Sequence, residues 1–444
     1  MSDDSGLFRA VRGPLLCLRD DPFTADLTEA LWHEPDGLLL CRDGHIEAAG
    51  SWAALKHRVP DGVTVAHHPD ALIVPGFIDC HVHYVQTGMV GAFGGDLLHW
   101  LEHYTFPAEL KFADRAHADR VAALFCDELL RQGTTSALVF AATFAHSVDA
   151  LFAQALQRRM RLIAGKVLMD RLAPRGLLDT AATGHAESAA LIRRWHGKGR
   201  LGYAITPRFA ITSTPEQLEA AGDLWRAHPD LWVHTHLSEN EGEIKEVARL
   251  YPERSSYLDV YDHYGLTGRR AVFAHGVHLQ EADFAHCHAH GSALAHCPTS
   301  NLFLGSGLFP LHEALDARRP VRVGLGTDIG AGTSFSLLHT AGAAYQVASL
   351  RGRALSAWQG LYLATLGAAR ALDIDRQVGS FEAGKEADFV ILDPAATPLL
   401  AFRHSQAESL EEALAVLMTL ADDRAIAETW VAGRCAYRRG AGNR

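Results

Sequence analysis

The stretch Leu72-Ile73-Val74-Pro75-Gly76-Phe77-Ile78-Asp79-Cys80-His81-Val82-His83 decides how the rest of the chain is read. Its apolar run, Leu72–His81, predicts a strand. That strand ends in His81-Val82-His83. On an extended backbone, residues two apart point the same way, so both imidazoles can grip one ion. In a barrel of parallel strands, chemistry sits at the C-terminal strand ends. The chain should therefore repeat the pattern of an apolar strand closing on a reactive side chain.

It does. Apolar runs recur at Thr135–Phe140, Leu162–Met169, Leu201–Ile205, Leu231–His236, Ala271–His275, Ser292–His296 and Val321–Thr327. Helical stretches separate them: Ala116–Arg131, Ser147–Arg159, Thr180–Trp195, Thr214–Ala227 and Gln280–Ala289. Strand-then-helix units in this number predict an α/β fold, a (β/α)8 TIM barrel, over residues 71–375. The flanks read as β. Gly37–Ala49 gives a hairpin turning at Arg42-Asp43-Gly44, and Ser51 caps a short helix from Trp52. Phe389–Leu392 and the hairpin Glu428–Val431 with Arg434–Tyr437 close the chain. Residues 1–70 and 376–444 are expected to pair as one small, discontinuous β-sandwich domain.

The expected strand ends now matter. The fifth strand closes on His234-Thr235-His236, the sixth on His275 and the eighth on Thr327-Asp328. A lone histidine at a strand end is more often a hydrogen-bonded structural residue. Four strand ends in barrel order, all metal-capable and all converging on one rim, read as a metal site. The expected ligands are His81, His83, His236 and Asp328, with His275 beside the bound water. Such a set suits one zinc ion; iron, nickel or manganese suit the same ligand types. Glu239 follows His236 by three residues, so it reaches the mouth of the site as a proton shuttle. Alone it would read as an exposed glutamate at a helix N-terminus.

Composition bounds the alternatives. The chain has 444 residues, 48% hydrophobic and 21% charged, which is a globular balance with material for a large core. Its formal net charge of −11, with no run of lysine or arginine, argues against a nucleic-acid partner. No apolar run reaches the length that spans a bilayer, so no membrane partner is expected. Seven cysteines without a framework read as reduced thiols, and the acidic start does not resemble a signal peptide, so the expected location is cytoplasmic. His286-Cys287-His288-Ala289-His290 looks metal-rich but falls on a connecting helix and reads as a solvated helix end.

These motifs resemble the amidohydrolase superfamily. Pro75–His83 opens its signature, Gly326-Thr327-Asp328 closes it, and Gly384-Lys385-Glu386-Ala387-Asp388 is similar to the junction with its second domain. Within the superfamily, further blocks resemble the branch that deaminates guanine. They are His83-Tyr84-Val85-Gln86, Leu97 to Pro107 with its Tyr104-Thr105-Phe106-Pro107, and Thr206-Pro207-Arg208-Phe209-Ala210. Gly165 to Asp170, His234 to Asn240, Ala274-His275-Gly276, His296 to Leu302 and Gly326 to Gly332 complete the set. The Gly91–Gly95 stretch, His99 and His103 depart from that pattern. A member with no lysine at the end of the fourth strand, as here, is expected to hold one metal rather than two.

The resemblance implies a reaction and its contacts. Guanine would be hydrolysed to xanthine and ammonia, with Glu239, His275 and Asp328 handling protons and Glu239 protonating ring N3. Gln86, Arg208, Phe209 and Trp100 would contact the small-molecule substrate. An ion pair at the barrel rim is the bland reading of Arg208, and plain packing that of Phe209 and Trp100. A homodimer is expected from the same resemblance. Rival readings are a sibling enzyme acting on another aminopurine, a pterin or a triazine, and a barrel that serves as a non-catalytic scaffold.

Overall fold

A computed structural model describes residues 6–94 and 97–441. The acidic start of the chain and Gly95 of the glycine-rich stretch lie outside the described residues. Eight parallel strands lie side by side in chain order: β1 (Phe77–His83), β2 (Thr134–Phe140), β3 (Arg161–Gly165), β4 (Gly202–Pro207), β5 (Trp232–Leu237), β6 (Ala271–His275), β7 (Ala293–His296) and β8 (Arg322–Leu325). The seam between the last and first is bridged by Asp328 N–H donating to the His81 carbonyl (2.8 Å) and His83 N–H to that of Ile329 (3.0 Å). The expected (β/α)8 barrel is what forms. Gly326 permits the closure, because a Cβ there would meet both His81 Cβ and Cys297 Sγ at 2.9 Å.

Helices cover the outside because their apolar residues fall on one face. The helix Arg115–Arg131 starts where the Asp114 side chain accepts from Ala116 N–H, and it buries Ala118, Ala122, Phe125, Cys126 and Leu129. The barrel interior has its own core, with Ile78 and Cys80 packed against Leu138, Ile163, Ala204, Trp232 and Val272. The helix Leu366–Ala371 belongs to this core through Ala368, Ala369 and Ala371, and the Trp232 indole N–H donates to the Leu372 carbonyl just beyond it, at 2.7 Å.

Two expectations need correction. The run Leu72–His81 is not one strand. It divides at Gly76 into Leu72–Pro75, in the small sheet, and β1 in the barrel. Leu162–Met169 likewise divides around Lys166 into β3 and Val167–Leu168. Apolar residues continue on both sides of each break, so periodicity could not place it.

The small sheet takes strands from both ends of the chain. Its order is Arg434–Arg438, Ile426–Val431, Phe389–Leu392, Leu72–Pro75, Phe8–Leu18, Leu31–Arg42 and His45–Ser51, with Val65–His67 added beside Phe8–Leu18. Ile73 opposite Ile391 is where the two termini meet. Val11, Leu15, Leu39, Ile46, Phe389 and Trp430 put one shared core inside it, as a sandwich does. Among the described residues all seven cysteines are free, and no helix is long and apolar enough to cross a membrane.

Candidate metal centre and active site

The site begins with a fault in β1. Between Asp79 and Val82 the strand has one residue more than its partner β2, a bulge that resets the alternation of faces. Ile78 and Cys80 can thus fill the barrel interior while His81 and His83, immediately above, also reach its mouth. Asp79 anchors the bulge from within. Burial pushes its carboxyl up to about 7, while Thr327 Oγ, Thr327 N–H and His81 N–H all donate to it. The sequence pattern assigns Asp79 no such role.

Four donor atoms converge above this point. His81 Nε2 and His83 Nε2 are 3.2 Å apart, and His83 Nε2 and His236 Nε2 are 3.2 Å apart. Asp328 Oδ1 lies 3.1 Å from His81 Nε2 and 3.3 Å from His83 Nε2. Ligands at zinc bond lengths on a tetrahedron stand about 3.3 Å apart along its edges. His81, His83 and His236 offer ligand atoms within 4.8 Å of one another, and His81, His275 and Asp328 do the same around a shared imidazole, so the donors gather at one place. The residues present therefore fit a divalent cation. Burial pushes the pKa of all three histidines down, His83 to about 3, which keeps them in the neutral form that a ligand needs.

The ligands are held from behind. His236 Nδ1–H donates to the Arg208 carbonyl at 2.7 Å, and His81 Nδ1 meets His234 Nε2 at 2.8 Å. Such partners fix ring orientation and tautomer. His234 shares a face with His236 by strand alternation, and that signal could have given it this role.

His275 does not join the donor set as closely. Its Nδ1 accompanies Asn301 Oδ1 at 2.9 Å, while Nε2 lies 3.5 Å from Glu239 and 3.8 Å from Asp328, buried and without a hydrogen bond. An orphaned nitrogen facing two carboxylates suits a water between them. His275 and Asp328 both take left-handed backbone angles, φ 73° and 50°, as does Ser238 before Glu239, φ 48°. Non-glycine residues pay about 1–3 kcal/mol for this, and such strain gathers where side chains must be aimed.

Glu239 lies at the same mouth, 3% exposed. Burial, then the nearby Asp328, pushes its carboxyl up to about 8, against a hydrogen bond from Ser306 Oγ at 3.1 Å. It can therefore carry a proton at neutral pH. Its backbone N–H donates to Glu243, at 2.8 Å, so the turn that presents it is pinned.

One pocket is lined by His83, His236, His275, Glu239 and Asp328 on one side and by Gln86, Trp100, Arg208 and Phe209 on the other. All the side chains expected to meet a substrate are thus present around one space. Arg208 also makes the ion pair that is the bland alternative to that role, with Nη1 2.8 and 2.9 Å from the oxygens of Glu109. Motif reading passes over Glu109, although it stands two residues past Tyr104-Thr105-Phe106-Pro107. Trp100 ends the helix Leu97–Trp100, followed by one π-turn, Leu101–Thr105. Lys166 is remote, its ammonium 2.5 Å from Asp179. A larger cavity of about 680 Å³, between Pro298–Phe303, Leu337–Leu350 and Leu410–Leu420, brings no such cluster together.

Known proteins share this architecture. The amidohydrolase family model matches residues 72–436. Over 434 residues the chain is 51% identical to the guanine deaminase of Escherichia coli (strain K12), covering 97% of this chain and 98% of that protein. The solved structure of E. coli guanine deaminase superposes with a TM-score of 0.95, over 97% of this chain and 100% of that one. A guanine deaminase from C. acetobutylicum, solved with bound guanine in the active site, is 28% identical with a TM-score of 0.87, over 97% of this chain and 100% of that one. With barrel, strand-end histidines and near-full-length likeness in agreement, the chain belongs to the amidohydrolase family, on the branch that holds the guanine deaminases.

Proposed function

We propose that this protein is a guanine aminohydrolase, converting guanine and water to xanthine and ammonia. The observation that carries the reading is Glu239. A buried carboxyl, pushed up to about 8, stands in one pocket with the imidazoles of His83, His236 and His275, with Asp328, and with Gln86 and Arg208, the side chains we assign to reading the purine. His81, His83, His236 and Asp328 are the proposed ligands of one zinc ion per chain. A divalent ion so held makes water nucleophilic near neutral pH.

The chain's own groups do the rest. His275 and Asp328 orient the attacking water toward C2 and accept its proton. Glu239 gives its proton to ring N3 as C2 becomes tetrahedral, then relays a proton to the departing amine. Arg208 donates to the purine carbonyl, Gln86 reads the adjacent edge, and Phe209 and Trp100 cover the ring. We further propose a cytoplasmic homodimer divided at 1–70, 71–375 and 376–444, with the Leu72–Pro75 strand contributed to the small sheet.

The test is an ultraviolet assay of guanine loss and xanthine gain by the metal-loaded protein, beside a panel of aminopurines, a pterin and a triazine. Guanine should be turned over with the highest kcat/KM. A better rate on another ring would replace guanine, and no turnover of any ring by metal-replete protein would end the reading.

A further inference from the structure

Glu109 belongs to no strand end and no lining of the pocket, yet it touches both residues assigned to reading the purine. It lies in the helix Phe106–Leu110 and is fully buried. Both its oxygens accept from Arg208 Nη1, at 2.8 and 2.9 Å, and Oε1 also accepts from Gln86 Nε2 at 3.3 Å. At the other end of the same amide, Gln86 Oε1 accepts from Gly330 N–H at 3.3 Å.

A glutamine amide is nearly symmetric in shape, so its partners decide which end is oxygen. A carboxylate can only accept, and a backbone N–H can only donate. Turned over, the Gln86 amide would set oxygen against Glu109 and N–H against Gly330. The same carboxylate takes one nitrogen of the Arg208 guanidinium, and through it fixes the plane in which the remaining donors point. A buried arginine without this partner would be an uncompensated charge free to tilt.

We propose that Glu109 is a positioning residue that sets the hydrogen-bonding pattern which Gln86 and Arg208 show to the substrate. Through them it imposes the preference for a ring bearing a carbonyl acceptor over one bearing an amine there. The inference rests on the guanine reading above. Guanine offers C=O at position 6 beside N1–H. 2,6-Diaminopurine offers an amine there beside a bare N1, the inverse pattern, which fixed donors reject.

The test measures steady-state kinetics of the metal-loaded wild type and Glu109→Gln on guanine and on 2,6-diaminopurine, with metal content alongside. The variant should keep its metal. KM for guanine should rise about 10- to 100-fold with kcat within about 5-fold, and the kcat/KM preference for guanine over 2,6-diaminopurine should fall at least about 10-fold. Unchanged KM, or an equal loss on both substrates, overturns the proposal, since a merely structural role cannot favour one ring. If wild type leaves guanine untouched, the proposed function fails instead, a separate result. Glu109→Asp keeps the acceptor with a shorter reach. It should raise KM by less and hold the preference, and it carries the test alone should the glutamine variant not fold. A fall in its kcat with KM unmoved would then refute the role.

Discussion

Two histidine clusters in this molecule look alike in sequence and differ in everything physical. Inside the barrel mouth, His83 Nε2 stands 3.2 Å from those of both His81 and His236, and Asp328 stands 3.1–3.3 Å from His81 and His83. His286 and His290, one turn apart on the helix Glu281–His290, stack at 4.0 Å, and Asp262 stands 3.0 Å from His286 Nε2. That second group also has the ligand types of a metal site. Its atoms, however, have ordinary partners. His286 pairs with Asp262, Asp262 accepts from Thr267 Oγ, and His290 Nδ1–H donates to the His286 carbonyl at 3.0 Å. Water reaches the cluster, and its side chains hang from a helix surface rather than from hydrogen-bonded strand ends. The difference teaches that residue type proposes a metal centre, while burial and fixed convergence make one.

The largest expected effect separates the two clusters directly. His236→Ala or Asp328→Ala should remove bound metal and lower turnover by about 1,000-fold or more. The double variant His286→Ala, His290→Ala should keep one metal per chain and turn over within about twofold of wild type. Elemental analysis and the guanine assay on the same preparations check both. If the surface variant loses the metal instead, the comparison is reversed and the proposed ligand set is wrong.

Next in size is Glu239→Gln. The side chain keeps its volume and its contact with Ser306 but has no acidic proton to give. Metal content should be unchanged, and kcat should fall at least about 100-fold. Near-normal kcat would remove Glu239 from the chemistry and leave the buried cluster as a metal site without its proton donor.

The same contrast explains how much of the site is legible in the amino-acid sequence. Strand alternation and barrel order are enough to gather His81, His83, His236, Asp328 and Glu239, because a barrel brings strand ends together whatever lies between them. They are also enough to set His286 and His290 aside. Glu109 is not legible: it meets Arg208 across 99 residues of chain, through a helix whose approach no local pattern fixes. The β1 bulge is invisible for a related reason, since one extra residue in a pairing is a property of two strands. The split of Leu72–His81 at Gly76 also depends on which sheet each half finds, a tertiary choice that apolar composition does not encode.

The smallest effect tests burial itself, the variable that separates the clusters. Glu243 lies behind the metal mouth, accepting from the Glu239 and Asn240 N–H groups and from the Tyr257 hydroxyl. Burial pushes its carboxyl up to about 7 from an ordinary value of 4.5. Folded protein therefore keeps this proton where the unfolded chain has released it. Its contribution to stability is fully present below about pH 4.5 and is lost as pH rises through about 7, a change on the order of 3 kcal/mol. Glu243→Gln has no proton to lose and can still accept both N–H groups. Denaturation of both metal-loaded proteins from about pH 4.5 to about pH 8 should thus show the variant gaining on wild type as pH rises. Protonation of the metal-binding histidines in acid is common to both and cancels in the difference. Parallel curves would mean that Glu243 ionises in the folded protein as easily as in water, and that the ground beside the metal mouth is wetter than its burial requires.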